Sequence, residues 1–431
     1  MIKILAVLFV ISIFIPVEFY YLAGGLRLEA YRVVLGLVLI YSLFNIKEII
    51  QQADLVDILL LTFTLLATAS LISNHGMQKG IESAGIFIIE VLGSFYLARS
   101  FITTPKRFYQ INIAFISLLA IGAVFTLYES FSHHRVLHEW ASKITGHQSL
   151  DPSLYTHYYI RAGIMRATNL FVHPILYGTL TAIFFPFAIM LTIFAFRPRY
   201  LLATIALLVS MLLTLSSAPL LSTLFQGMIA FLTYFWKGAR RFWVAFLFSS
   251  LSIAFLINII SNRGFFALLV SHLTFNPNTG YYRMFQWKYA MDDVLDNPLL
   301  GIGISQWSRP EWLNYSIDSF WLLITMQHGI PAGLLLLFCS LYLVFHVLNT
   351  LHQQHHLYRW MANAWVLSFL SLILIGFTVD YFGKLQPMFF FTLGAIGWLK
   401  HPQLNQKMQQ LEWLTRSRQF QRNKDPLEST Q

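Results

Sequence analysis

The amino-acid sequence predicts an all-α polytopic membrane protein of about 12 transmembrane helices with two long loops on its outer side. Three observations predict it. Of 431 residues, 57% are hydrophobic and only 11% charged, against roughly 25% charged in soluble domains. Apolar runs recur at the length of about 20 residues that a bilayer requires. Lysine and arginine then sort to one side of those runs, as the positive-inside rule demands. The net charge of +10 is accounted for by that sorting, so no nucleic-acid partner is expected. The single cysteine, Cys339, stands in an apolar run and excludes an intrachain disulfide.

Hydropathy places spans near 4–22, 29–45, 56–73, 82–98, 109–131, 170–196, 200–217, 219–236, 242–260, 330–348, 361–379 and 385–399. With Lys3 inside and strict alternation, the inner connections collect Lys47, Arg99, Lys106, Arg107, Arg197, Arg199, Lys237, Arg240, Arg241 and Arg359. Short outer connections hold only Arg27, Arg32, Lys79 and Lys384. Both termini are therefore expected in the cytoplasm. The first span runs to Pro16 and Glu18 without a small-residue cleavage site, so it reads as a retained helix and not a signal peptide.

The chain divides into N-terminal transmembrane helices (1–131), a first outer loop (132–169), central transmembrane helices (170–260), a second outer loop with an amphipathic helix and a re-entry segment (261–329), C-terminal transmembrane helices (330–402) and a basic tail (403–431). Connections beyond about 12–15 residues are usually functional or disordered. These two carry Trp, Tyr and Phe and the cations Arg135, Lys143, Arg161, Arg166, Arg263, Arg283, Lys288 and Arg309. Cations placed against the topological bias point to an anion on that side. The tail reads as a solvated segment near anionic lipid headgroups.

Within the second loop, Tyr281–Leu295 reads as a helix with Met284, Trp287, Met291, Val294 and Leu295 on one stripe, stopped at Asn297-Pro298. Arg283 is expected in its first turn, beside free backbone N–H groups that suit a phosphate. The alternative is an amphipathic helix lying on the membrane, with Arg283 snorkelling. The first loop ends in Arg166 followed by His173-Pro174, where a span begins. That pair is equally plain helix-start chemistry.

Four ordered blocks carry a resemblance. They are Arg166-Ala-Thr-Asn-Leu-Phe-Val-His173-Pro174 through Gly178; Leu213-Thr-Leu-Ser216-Ser217-Ala218; Arg283 and Trp287 through Asn297-Pro298-Leu-Leu-Gly301-Ile-Gly303; and Asp318-Ser319-Phe320-Trp321 through His328-Gly329-Ile-Pro331-Ala-Gly333. The chain resembles the O-antigen ligase and polysaccharide polymerase superfamily, multi-span glycosyltransferases that use polyprenyl-diphosphate sugars. Two departures stand out. The second block lacks the arginine of the family's Ser-Arg-Gly-Ala-like turn, and Asp318-Ser319 replaces the His-Asn usual in ligases.

The resemblance implies a bacterial inner-membrane enzyme with both loops periplasmic. Its substrate would be a lipid-linked oligosaccharide, held without metal or cofactor. A chain-length regulator and a flippase of the same pathway, and membrane lipids, are the partners implied. Arginine is always charged and grips phosphate oxygens in pairs, which singles out Arg166 and Arg283, then Arg161 and Arg309. Asp318, and secondarily His173, are the candidates to take a proton from an acceptor hydroxyl. Asp318 reads equally as a helix N-cap. Tyr282, Trp287, Trp307 and Trp312 are the aromatics able to stack on sugars, or to form an interfacial belt. His134 and His138 share a helical face, but no open metal triad accompanies them. Asp292 has Lys288 as an i,i+4 partner, and Glu90 reads as a helix-packing partner. The missing His-Asn favours a polymerase of exopolysaccharide or O-antigen repeat units over a ligase that moves finished chains to lipid A core. A sugar transporter is the alternative of another class, though the repeated halves usual in transporters are not evident.

Overall fold

The structure, a computed structural model, describes residues 1–23, 26–148, 159–195, 197–235, 252, 277–351 and 356–400. The expected span 242–260, the start of the second loop with Arg263, and the tail 403–431 lie outside the described residues. The regular elements among the described residues are helices, apart from two short antiparallel hairpins. Helix α1 (Ile2–Ile13) leads through β1 (Tyr20–Ala23) and β2 (Leu26–Glu29) to α2 (Ala30–Phe44), α3 (Ile46–Gln52) and α4 (Leu55–Ile88). Then come α5 (Ser94–Phe101), α6 (Pro105–Ser132), α7 (Val136–Thr145), and the hairpin of β3 (Ile160–Arg161) with β4 (Ile164–Met165). The chain continues through α8 (Pro174–Ala195), α9 (Pro198–Leu213), α10 (Ser217–Phe235), α11 (Pro277–Asp296), α12 (Phe320–His328), α13 (Ile330–Thr350), α14 (His356–Ile375) and α15 (Leu385–Gly394).

Among the described residues, 5 helices are long and apolar enough to cross a membrane, or 6 if α2 and α3, bent by 82°, form one span. The figure of about 12 drawn from hydropathy is not reached on that criterion. One reason is length, since α1, α9 and the Leu385–Leu399 segment are apolar but short. The other is folding back. Leu55–Phe101 counts as one helix of 47 residues, yet the rings of Phe63 and Phe87 lie 5.8 Å apart. A straight helix would separate those residues by about 36 Å. The chain reverses at Gly76, whose φ of +72° suits glycine and few other residues. The two arms correspond to the expected spans 56–73 and 82–98.

A π-helical segment, Ile89–Gly93, interrupts the second arm and brings Glu90 to α2. There its carboxylate accepts from Tyr31 Oη at 2.9 Å and Arg32 Nε at 2.8 Å, which satisfies a buried charge. Around this pair an aromatic core joins α1, α4, α6, α8 and α15, with Phe115 stacked on Phe184 at 4.5 Å and Phe9 against Phe391 at 5.1 Å. In lipid the gain is in close packing and not in expulsion of water.

A second, smaller core binds α11 to α12 through Ala290, Val294, Trp307, Leu313, Ile317, Leu322 and Met326. The Pro298–Gly303 block locks this unit to the Gly76 end of α4. Ile302 N donates to Met326 O and Gly303 N to Gln327 O, both at 2.9 Å. Ser70 Oγ donates to Gln327 O at 2.8 Å and Asn74 Nδ2 to Gly301 O at 3.1 Å. Gly301 has φ +62°, and a Cβ there would overlap the Met326 carbonyl oxygen. The block is thus architectural. Helix α11 stops before Asn297-Pro298 as expected but begins at Pro277, earlier than the sequence suggested. Arg283 therefore stands beyond the first turn, where backbone N–H groups are already bonded, and the anticipated amide contribution to an anion site is lost.

Candidate functional site

The end of the bundle that holds Gly76 also gathers the long connections. From the first of these come three arginines. The chain leaves α6 through His133 in the left-handed conformation (φ +62°), and Arg135 follows at once. Its guanidinium lies 4.1 Å over the Tyr159 ring, and its Nε is 3.3 Å from Glu129 Oε1. Glu129, near the end of α6, is the organising acceptor. It takes hydrogen bonds from Thr168 N (3.0 Å), Thr168 Oγ1 (2.8 Å) and Asn169 N (2.8 Å). His138 Nδ1 lies 2.8 Å from Glu18 Oε1, extending the network to the segment after α1. His134 faces Glu139 instead, so the two imidazoles that share a helix turn do not converge.

Arg166 and Arg161 flank the β3–β4 hairpin, and both reach the α9–α10 turn. Arg166 Nε donates to Thr214 O at 3.1 Å and its Nη2 to Ser216 Oγ at 2.9 Å, while Arg161 Nη1 donates to Leu215 O at 2.6 Å. The turn whose own arginine is missing thus receives two from another loop. Leu215, at φ +44°, is held in a conformation unusual for a branched side chain.

The second connection contributes the carboxylate. Arg283 Nε lies 3.7 Å from Asp318 Oδ2. Gln286, one turn along α11 and buried, accepts from Asp318 N at 3.0 Å and donates from Nε2 to Ser316 O at 2.7 Å. It fixes the backbone at Asp318. The α12 N-cap is Ser319, whose hydroxyl accepts from Leu322 N at 3.3 Å, so the cap role considered for Asp318 belongs to its neighbour. Burial raises the Asp318 carboxyl above its ordinary range, and the Arg283 charge pulls it part of the way back.

The 376–384 segment between α14 and α15 joins the two clusters. Phe320 N donates to Val379 O at 3.1 Å and Ser319 Oγ to Gly376 O at 3.2 Å. Phe382 lies 6.4 Å from the His173 ring. Asp380, in the same segment, is pushed up to about 7, first by burial, with the negative Asp318 adding to the rise. Lys384 is buried, donates to Leu170 O at 3.3 Å and lies over Phe171. Burial pushes it down to about 8.

His173 stands at the centre. Burial, then the charges of Arg166, Arg283, Arg135 and Arg161, push its imidazole down to about 3. Arg166 and Arg283, far apart in sequence, both contribute to that lowering. His173 Nδ1 accepts from Ile175 N at 3.2 Å, the helix-start role read from the sequence. A neutral ring accepting at Nδ1 carries its proton on Nε2, so it offers a donor and not a base.

Other candidates go elsewhere. Arg309 Nε donates to Leu313 O at 2.9 Å, within its own loop. Tyr282 Oη accepts from Asn314 N, and Trp287 Nε1 donates to Phe377 O at 3.4 Å. Trp307 is buried, with Nε1 donating to Tyr315 O at 2.7 Å. These hold the loop together. Trp312, 58% exposed and edge-on to Phe285, is the aromatic of the four most open to a sugar. Sequence reasoning passed over Glu129, Gln286 and Asp380. Gln286 lies one helical turn after Arg283, which was the signal to follow; Glu129 stands six residues before Arg135, across the end of α6, and spacing gave no such signal.

No curated protein matches the chain. A family model described as O-antigen ligase matches residues 202–337. That range holds the Thr214–Ser216 turn, Arg283, Gln286 and Asp318, and stops short of Arg135, Arg161, Arg166 and His173, which the fold brings to the same place. With its apolar helices, some long enough to span a bilayer, the chain is a multi-pass membrane protein in which residues 202–337 are similar to the O-antigen ligase family.

Proposed function

We propose that the protein polymerises undecaprenyl-diphosphate-linked oligosaccharide repeat units of an exopolysaccharide or O antigen at the periplasmic face of the bacterial inner membrane. The observation that carries this reading is the pairing of Arg283 with Asp318 at 3.7 Å, inside the stretch that matches the O-antigen ligase model. In the reaction, an acceptor sugar hydroxyl attacks the anomeric carbon of the donor. The bond from that carbon to the diphosphate breaks, and its electron pair leaves with the polyprenyl diphosphate. Asp318, raised by burial, takes the hydroxyl proton. Arg283, half-buried, meets the diphosphate charge. Arg166, anchored on the Thr214–Ser216 turn, adds charge from behind, and His173 Nε2–H donates to a phosphate oxygen. Charge stabilisation of this kind is typically worth several kcal/mol in a site that excludes water. Trp312 offers a stacking face for the glycan.

Transfer of finished chains to lipid A core is a second reading, favoured by the description of the matching family model. A deletion strain separates the readings. Loss of a polymerase leaves surface lipid capped with single repeat units. Long lipid-linked chains accumulating instead identify a ligase, and single units trapped on the cytoplasmic face identify a flippase. Orientation is tested by alkaline phosphatase fusions, with activity expected after Trp140 and none after Arg418. The reverse pattern removes the mechanism, because the arginines would face the wrong compartment.

A further inference from the structure

Arg135 plays no part in the mechanism above, and its surroundings are unusual. It is 2% exposed, yet Nε, Nη1 and Nη2 all lack a hydrogen-bond acceptor. A guanidinium carries five N–H donors, and leaving them unmade in a buried place is costly. Glu129 offsets the charge through its 3.3 Å ion-pair contact, but that carboxylate already accepts three hydrogen bonds from Thr168 and Asn169. The Tyr159 ring covers one face of the guanidinium at 4.1 Å, and its N–H edge is buried without an acceptor. The same ring lies 6.5 Å from His173, so the unmet donors sit one ring away from the centre of the site.

We infer that Arg135 is a binding residue for a lipid-borne phosphate, whose oxygens complete the hydrogen bonds that its buried guanidinium lacks. A planar fork with adjacent N–H groups matches phosphate oxygens bidentately. The phosphate arrives either on the polyprenyl diphosphate or on a phospholipid headgroup. The inference deepens the proposed reading and rests on it for the first of those sources.

The test uses the full chain in lipid nanodiscs. One arm adds polyprenyl diphosphate to nanodiscs of phosphatidylcholine and measures direct binding. The other holds phosphatidylglycerol without polyprenyl lipid and measures the phosphatidylglycerol retained on the purified protein. Two variants are compared with the wild type. Arg135→Lys replaces the fork by a point charge, and the paired Arg135→Met with Glu129→Gln removes both buried charges together. Binding at least about tenfold weaker in one arm is expected of both variants, the loss of a charge-assisted hydrogen bond. The arm affected identifies the source. Unchanged binding in both arms overturns the inference. A wild type that fails to bind polyprenyl diphosphate sinks the proposed function, whereas binding that ignores Arg135 sinks only this inference.

Discussion

The two long connections build the site in opposite ways. The first is buried and closed: Glu129 is saturated with donors, Arg166 is fixed to the α9–α10 turn, and Arg135 lies under Tyr159. The second is shallower, with Asp318 half-exposed and its partner Arg283 at 3.7 Å. A fixed network holds charge in place before substrate arrives, so it costs no reorganisation during reaction. A looser carboxylate–arginine contact can part, which a proton acceptor must do when a hydroxyl takes the arginine's place. On the proposed function, the first connection positions and the second reacts.

Substitutions can break that division. Asp318→Asn keeps the size of the side chain, while the α12 cap stays with Ser319. It should express normally yet lower turnover of a purified lipid-linked donor by about 10²–10⁴-fold, the usual worth of a positioned base. Near-normal turnover would move the search to Asp380, because His173 Nδ1 is already used as an acceptor. Glu129→Ala should act on stability instead. It strands Arg135 and three donors, at a cost of about 3–5 kcal/mol for a broken buried pair, read as lower yield and melting temperature in detergent. If Glu129→Ala melts like the wild type but is inactive, the first connection is chemical and the division fails. Arg283→Lys should fall between, with turnover reduced about tenfold at normal protein levels, because an ammonium cannot form the bidentate fork.

The smallest expected effect is on pH dependence. Asp380 sits at about 7 in the fold and near roughly 3.9 when unfolded. A raised carboxyl binds its proton more tightly in the folded state. Its contribution is then fully present below the unfolded value and is lost as pH rises through the folded one. His173 has the opposite sign, at about 3 folded against roughly 6.5 unfolded, so its contribution is lost as pH falls. Melting temperature should decline on both sides of mildly acidic pH, and Asp380→Asn should flatten the alkaline side. An unaltered alkaline side would show that Asp380 is solvated.

Much of the membrane architecture was determined by the sequence itself. Apolar runs set α6, α8 and α13 within a few residues, because each must satisfy its own backbone in lipid. Asparagine and proline marked the end of α11, where a missing donor is decisive, whereas the reversal at Gly76 emerged only from the structure. The sequence also placed Arg166, Arg283, His173 and Asp318 on the long connections. What it left open was which donors meet which acceptors. Glu129 gathers Thr168 and Asn169, Arg166 reaches a turn 50 residues on, and the 376–384 segment ties His173 to Ser319. Those pairings depend on how helices distant in sequence pack side by side. Hydropathy and spacing describe each helix alone, so only the tertiary structure could decide that Arg166 would anchor on the Thr214–Ser216 turn, or that Arg135 would be left with its hydrogen bonds unmade.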